Sequence, residues 1–348
     1  MAKRKRTPIL TIAIPTRNRS RTLNKLLGQL QKEKDGEFRI LVSDNDSSDN
    51  TQDLVRKYQK KMKNLDYFRN EKNLGSWGNI YNLYKLTNTR YIWLLSDDEE
   101  IVSGAVDKII NSLEKYYPSV ALFNHVKIDI FGRRVIEGVR KDTVFEDIKN
   151  FDDYSRLTRT VFMSIIVIEK RLPLNLIKEK YIRGNYFFQV ALVILTLSNK
   201  FKFCEIATPI VFRNTGYKSG EFFKFIMVDI LDTISSLEHK FDTNKFINFY
   251  KTQIFFALAL FLSQKLGLFK FYGRPSLKII KKIFKYYGFS SLFIISFPLI
   301  KFLIPRFILK FAYRIKLQRI HGKQKGLKIY KENIDRALRF NRVSGHLD

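Results

Sequence analysis

From residue 8 to about residue 130, apolar positions follow two alternating rhythms. Short runs without alternation, "ILTIAIPT", "FRILVSDN", "LDYFRNEKN", "RYIWLLSDD" and "VALFNHVKIDI", are followed by segments with apolar residues every three or four positions. Leu23, Leu26, Leu27 and Leu30 set that helical spacing after the first run; "TQDLVRKYQKKM", "SWGNIYNLYKLTN" and "SGAVDKIINSLEKY" repeat it. Strands alternating with helices predict an α/β fold of βαβ units, with a mainly parallel, twisted, Rossmann-like sheet flanked by helices and right-handed crossovers. Ligands of such sheets bind beyond the carboxyl ends of the strands. Three of those ends, Pro15-Thr16-Arg17-Asn18, Ser43-Asp44-Asn45-Asp46 and Ser96-Asp97-Asp98-Glu99, carry more polar groups than a turn requires.

The rhythm loosens from about 130 to 215. "MSIIVIEK" reads as a strand, "NYFFQVALVILTLSNK" as an apolar helix, and "FKFCEIATPIVFRN" as a strand or hairpin returning to the sheet. From Glu221 onward the pattern is helical. There is no internal repeat and no Pro/Gly-rich linker, so the change of character sets the domains: 1–215 as the ligand-binding α/β domain and 216–348 as a helical basic and aromatic region.

Hydrophobic content of 45% allows a sizeable core, although the formal net charge is +30. The charge is uneven: from Thr243 to Lys331 there are 19 Lys and Arg and no Asp or Glu. Such a field suits nucleic acid or an anionic membrane. Cys204 is the only cysteine, which excludes an intramolecular disulfide and suits a reducing compartment. The basic N-terminus before Ile9 looks superficially like a secretion signal, but the apolar run Ile9 to Ile14 is too short for one.

Against that basic background, Asp97, Asp98, Glu99 and Glu100 stand together behind the buried run Tyr91 to Leu95. Like charges at one strand end need a positive group among them, and either a metal ion or a cationic side chain would serve. The plainer alternative is capping of the next helix, where acidic residues are favoured.

The opening "ILTIAIPTRNRSRTLNKLL", followed by "RILVSDNDSSDNT", resembles family-2 glycosyltransferases of the GT-A fold. Pro15, Thr16, Asn18 and Arg19, then Asp44, Asn45, Ser47, Asp49 and Thr51, stand at that family's motif positions. Asn73, Gly75 and Asn79 match its Asn-x-Gly segment, and "YIWLLSDDEE" its acidic metal-binding motif. The chain looks closest to the branch that builds O-antigen and capsular polysaccharide. The first third carries the likeness strongly, the middle loosely and the last third only in character.

The resemblance implies a nucleotide-sugar donor. Thr16, Arg17, Asn18 and Asp44 would hold base and ribose, with Pro15, Asn73, Gly75 and Asn79 in the same donor-binding set and Asp97 near the ribose. Mg²⁺ or Mn²⁺, hard cations that prefer oxygen ligands, would be held by Asp98 and Glu99; Glu99 stands where the family often has Asp, and its longer side chain leaves open which of the two is the principal ligand. Glu100 is expected to cap the following helix, and Asp49 to cap its own. Arg213, in "VFRNTGY", is a candidate for the diphosphate. The family's general base usually starts a helix after the middle strand; here "IRGNYFFQVALVI" offers Asn185, Tyr186 and Gln189 and no carboxylate. Asp152 and Asp153 are weak substitutes, so both the base and the stereochemical outcome stay open. His125, His239, His321 and His346 have no metal-ligand spacing and are given no role.

In the tail, blocks such as "IFFALALFL" and "FSSLFIISFPLIKFLIPRFILKFAYRIK" lie between the cations. Nucleic acid would not need so many Phe, Leu and Ile, whereas an interfacial helix needs both kinds of residue. Phe289 to Ile300 is the most apolar stretch, but Pro298 and Lys301 break it short of the roughly 20 residues a spanning helix needs. The expectation is peripheral or monotopic attachment to the cytoplasmic face of the inner membrane, with a glycan or lipid-linked (polyprenyl-diphosphate) acceptor and no nucleic-acid partner. A metal-dependent nucleotidyltransferase is the enzymatic alternative, though "AIPTRNRS" is not its Gly-rich phosphate loop. A non-enzymatic basic nucleic-acid- or membrane-binding protein is the third reading, and it leaves the polar strand ends without purpose.

Overall fold

β1 (Leu10–Thr16) lies between β2 (Phe38–Asp44) and β4 (Tyr91–Leu94), parallel to both. The computed structural model describes residues 7–33, 38–128, 133–147, 155–177, 187–213 and 230–237, with scattered positions from 245 to 332. Leu10, Ile12, Ala13 and Ile14 are all at 0% exposure, as expected of a strand covered on both faces. α1 (Ser20–Leu30) covers one face through Leu23, Leu26, Leu27 and Leu30, each buried. α2 (Thr51–Gln59), β3 (Leu65–Arg69), α3 (Gly75–Leu86), β5 (Glu100–Ile101) and α4 (Ala105–Tyr116) follow. α4 buries Ala105, Val106, Ile109, Ile110 and Leu113 on one stripe.

Beyond α4 come β6 (Val120–Ile128), β7 (Arg134–Glu137), β8 (Thr143–Phe145), α5 (Ser155–Thr158), β9 (Ile166–Glu169), α6 (Phe188–Asn199), β10 (Phe203–Phe212) and α7 (Ile230–Ser236). The strand order is β3-β2-β1-β4-β9-β6-β10-β5, with β7 on β6 and β8 on β10. The sheet is mixed rather than mainly parallel. β9 runs antiparallel between β4 and β6, and β5, β7 and β8 are antiparallel to their neighbours. The two reversals around β9 cancel, so β6 points the same way as β4, and β10 is parallel to β6. The carboxyl ends of β1, β2, β3, β4, β6 and β10 therefore share one edge of the sheet. β10 is a single strand, irregular around Pro209, where no N–H is available to the ladder.

Contacts divide the chain into two compact units. The first is Met1–Asp129, Arg133–Thr215 and Asp232–Asp242; the second is Ile130–Gly132, Gly216–Leu231 and Thr243–Asp348. The ten strands among the described residues all lie in the first. Most of the basic tail lies outside the described residues, and among the described residues no helix is long and apolar enough to cross a membrane.

Two details correct the sequence reading of helix ends. Glu100 is part of β5, paired with Phe212, and is exposed. It lies five residues before α4. The acceptor for the start of α4 is Glu33, whose carboxylate takes the N–H groups of Gly104 (3.1 Å) and Val106 (3.4 Å). Gly104, at φ 68, makes the left-handed turn that lets the chain enter the helix.

The core also holds charge. Glu205, in β10 and 1% exposed, accepts from Arg156 and, at 2.8 Å, from Arg159, which also reaches the Phe123 carbonyl at 3.0 Å. Removing one member of such a buried group leaves the others uncompensated. Glu205→Gln is expected to lose about 3–5 kcal/mol in urea unfolding. The exposed pair Arg39–Asp66, cut by Arg39→Ala, should lose less than about 1 kcal/mol. Similar small losses in both variants would refute the structural role of Glu205.

Candidate active site

The β1–α1 loop and the acidic turn after β4 are joined by side chains nearly eighty residues apart. Thr16 Oγ1 donates to Asp97 Oδ2 at 2.6 Å, and Arg19 Nη1 donates to Asp97 Oδ1 at 3.0 Å and to Asp98 Oδ2 at 2.9 Å. Ser96 Oγ closes on Asp98 Oδ1 at 2.6 Å. The positive group among the carboxylates is thus a guanidinium. Asp97 is 2% exposed, and burial pushes its pKa above the ordinary carboxylate range against the opposing pull of Thr16 and Arg19. Arg19 is half exposed: desolvation works to lower its pKa, but the charges and hydrogen bonds of Asp97 and Asp98 outweigh it and leave it raised. Both partners move upward because the burial penalty falls mainly on Asp97.

The β2–α2 loop is latched to the same β1 loop. Asn18, in the left-handed region at φ 51, gives its N–H to Ser47 Oγ (2.9 Å) and accepts the Ser48 N–H at its Oδ1 (2.7 Å). Asp49 accepts the Ser20 N–H at 3.0 Å and the Thr51 N–H at 3.1 Å, serving the starts of α1 and α2 together. These bonds offset slight desolvation and hold its pKa below the usual value. Asp44, the expected base or ribose ligand, is at 0% exposure. Its Oδ1 accepts the Ser47 N–H at 2.9 Å and its Oδ2 the Tyr67 hydroxyl at 2.6 Å. In this arrangement its carboxylate shapes the loop from beneath. Burial, then Asp44, raises the Tyr67 pKa, so the hydroxyl keeps its proton and remains a donor.

An amide network ties β2 to the start of α3. Asn45 Nδ2 donates to Asn73 Oδ1 (2.8 Å) and the Gly75 carbonyl (3.1 Å), while its Oδ1 accepts from Asn70 (3.1 Å) and the Leu74 N–H (2.9 Å). Asn79 accepts from Ser43 Oγ (2.5 Å) and Asn70 (3.1 Å) and donates to the Ser43 carbonyl (2.9 Å). Gly75 sits at φ 75, and a Cβ there would come within 2.9 Å of Trp77. Of this set, Asn79 is buried and Asn73 exposed. Arg17 is exposed and has no hydrogen bond or ion pair among the described residues, whereas Pro15 is half-buried beside it.

The register carries the edge across to β6. Trp93, Val167 and Ala121 lie in one row over β4, β9 and β6, so the β4 end that leads to Asp97 and the stretch of β6 that carries His125 are separated by the width of β9. The turn before β9 fills that gap. Ser164 accepts the Trp93 indole N–H at its carbonyl (2.9 Å) and the Ser96 N–H at its hydroxyl (3.2 Å). The Phe162 ring meets His125 edge-on at 5.0 Å and lies beneath the Arg213 guanidinium at 5.3 Å. His125 is 5% exposed. Its Nε2 is 3.3 Å from Glu137 Oε2, but the alignment is too poor for a hydrogen bond. Burial, opposed by Glu137 and aided by Arg213, Arg159 and Lys127, pushes its pKa down to about 4. Arg213 follows β10, its N–H bonded to the Val126 carbonyl at 2.7 Å. Phe212 pairs with Glu100, so Arg213 lies by the exit of the acidic turn.

Thr16, Arg19, Asp97 and Asp98 therefore form one cluster, and Asp44, Asn45, Asn73, Gly75 and Asn79 form its neighbour. The sequence reading gave no role to Arg19 or His125 and did not single out Ser96, Ser164, Tyr67 or Asn70. Arg19 stood at a motif position, and the charge balance of the acidic run called for a positive group without saying which. Asp152, Asp153, Asn185 and Tyr186 lie outside the described residues; Gln189 is buried and donates to the Val161 carbonyl at 3.3 Å.

For a divalent cation, the donor set fits. Asp98 is the more open of the two aspartates, its side chain 36% exposed, and Glu99 shares its turn. Among the described residues no group of three or more ligating side chains exists. A hard cation here would complete its shell from substrate phosphates and water, as Mg²⁺ commonly does.

Residues 11–166 match the family model for Glycosyl transferase family 2. A Campylobacter jejuni enzyme named GalNAc(5)-diNAcBac-PP-undecaprenol beta-1,3-glucosyltransferase is 32% identical over 114 residues, 32% of this chain and 37% of that one. An uncharacterized glycosyltransferase of Methanocaldococcus jannaschii is 28% identical over 175 residues, 50% of this chain and 58% of its own length. This chain thus spans between about a third and three fifths of those relatives. Among solved structures, S. aureus TarS 1–349 in complex with UDP superposes with a TM-score of 0.58 at 15% identity, covering 95% of this chain and 91% of that one. At that identity the likeness speaks for the fold. With the family match, the strand order and the polar strand ends agreeing, residues 11–166 are a glycosyl transferase family 2 domain on a GT-A α/β fold.

Proposed function

We propose that this chain transfers a sugar from a nucleotide-sugar donor to a glycan acceptor carried on a polyprenyl diphosphate, in cell-surface polysaccharide synthesis at a membrane face. The observation that carries the donor half is the cluster of Thr16, Arg19, Asp97 and Asp98 at the carboxyl edge of a family-2 domain. TarS in complex with UDP and with UDP-GlcNAc supports a nucleotide-diphosphate donor. The Campylobacter relative's name, with its undecaprenol-linked substrate, supports the acceptor class.

In the reaction the acceptor oxygen bonds to the anomeric carbon, the bond from that carbon to the diphosphate breaks, and the acceptor loses its proton. When bound by Asp98 and Glu99, Mg²⁺ or Mn²⁺ stabilises charge on the departing diphosphate. The exposed Arg17 and the Arg213 guanidinium are the proposed phosphate partners, since Arg matches phosphate oxygens in paired hydrogen bonds. Asn18 and Asn73 offer exposed amides toward base and ribose. Asp44 acts by fixing the Ser47 turn and Tyr67 below them.

Asp98→Asn removes charge while preserving shape and the Ser96 contact. Transfer is expected to fall by at least about 100-fold, the loss of roughly 3 kcal/mol of transition-state stabilisation, with an unchanged urea midpoint. Activity close to wild type, or full wild-type activity in excess EDTA, would contradict the metal role.

The tail generates a second expectation. Its 19 cations lie among apolar blocks, and each Lys or Arg near an anionic surface contributes roughly 1 kcal/mol. In flotation assays, binding should rise with anionic lipid, and high salt should weaken it without abolishing it, because buried Phe and Leu add a salt-insensitive part. Indifference to anionic liposomes together with duplex-DNA binding of steep salt dependence would assign the tail to nucleic acid instead.

A further inference from the structure

All four carboxylate oxygens of Asp97 and Asp98 already have protein donors. Thr16 and Arg19 serve Asp97, and Ser96 and Arg19 serve Asp98. One nitrogen of Arg19, Nη1, makes both of its contacts. The remaining N–H groups of its half-exposed guanidinium have no partner among the described residues and are free to meet a ligand. A divalent cation on Asp98 would stand within a few ångströms of that guanidinium, and two cations cannot share one carboxylate oxygen without strong repulsion.

We infer that Arg19 is an internal counter-cation that competes with the divalent metal for Asp98 and passes to the nucleotide diphosphate when metal and nucleotide arrive together. This rests on the metal-assisted donor reading above. Three observations make Arg19 suited to the exchange. Its side chain is 51% exposed, whereas that of Asp97 is 3% exposed and also bonded to Thr16. The left-handed turn at Asn18, latched to Ser47 and Ser48, anchors the backbone from which the side chain departs. The guanidinium, unlike an ammonium, presents a planar fork that can leave a carboxylate for a phosphate with the same geometry. The free protein should consequently take up metal weakly, and metal and nucleotide diphosphate should strengthen one another's binding by the same factor.

The test is Mn²⁺ titration of the full chain, followed by loss of the free-ion EPR signal, with and without UDP or GDP. Arg19→Gln, which removes the competing charge, is expected to bind Mn²⁺ alone about tenfold more tightly than wild type, the scale of one charged hydrogen bond. It should bind the nucleotide more weakly in the presence of Mn²⁺. Arg19→Lys, a milder change that keeps a charge without the fork, should tighten Mn²⁺ about threefold, on the same scale, and serves if the Gln variant does not fold. Unchanged or weakened Mn²⁺ binding in the folded variants overturns the exchange while leaving metal use intact. Absence of Mn²⁺ binding to wild type and variants alike, with either nucleotide present, overturns the metal reading itself.

Discussion

A carboxylate shut away from water at the end of β4 has to be neutralised, and the site is arranged around how Asp97 meets that demand. Taking such a charge out of water is costly unless it is paired and hydrogen-bonded. Thr16 and Arg19 supply both, and because they sit in the β1 loop, the ends of two neighbouring strands become one structure. The loop so fixed then positions Asn18, which latches Ser47 and Ser48, and Asp49, which holds the starts of α1 and α2. Undoing Asp97 would therefore loosen three strand ends.

The two flanks of this cluster differ in kind. Toward β2 and α3, the contacts are neutral amides from Asn45, Asn70, Asn73 and Asn79, which fix geometry with little net charge. Toward β6, the wall is Ser164, Phe162, the buried His125 and the Arg213 guanidinium. Burial keeps His125 neutral near pH 7, so the positive charge on that flank comes from the arginines and Lys127. An anionic donor laid along the edge would find hydrogen-bonding groups at one end and cations at the other. That gradient suits a base and ribose joined to a diphosphate.

The strands and helices that were legible in the sequence are those with a long or pure hydrophobic rhythm. Ile9 to Ile14, Tyr91 to Leu94 and the leucines of α1 could hardly be anything else. β5, β7 and β8, at two to four residues, leave no period to read. The direction of β9 was equally invisible, since an apolar run of four reads the same in either orientation, and so the sheet was expected to be mainly parallel. The three polar strand ends were legible because their composition exceeds what turns need. Their internal wiring was not: Thr16 and Asp97 are 81 residues apart, and only the fold reveals that Asp44 points beneath the surface and that Glu33, not Glu100, serves α4. Arg19 was visible as a motif residue, but its partners depended on the β1–β4 pairing.

These features support the proposed reading, in which the site takes an activated sugar whose leaving group is a nucleotide diphosphate. The most direct test incubates the full chain with Mn²⁺ and a panel of UDP-, GDP-, dTDP- and CMP-sugars and measures nucleotide release. The account predicts that a nucleoside-diphosphate sugar is bound and slowly hydrolysed without acceptor, with free nucleoside diphosphate as the product. No hydrolysis or binding of any nucleotide-sugar, with pyrophosphate released instead from a nucleoside triphosphate and a sugar phosphate, would contradict it and identify a nucleotidyltransferase.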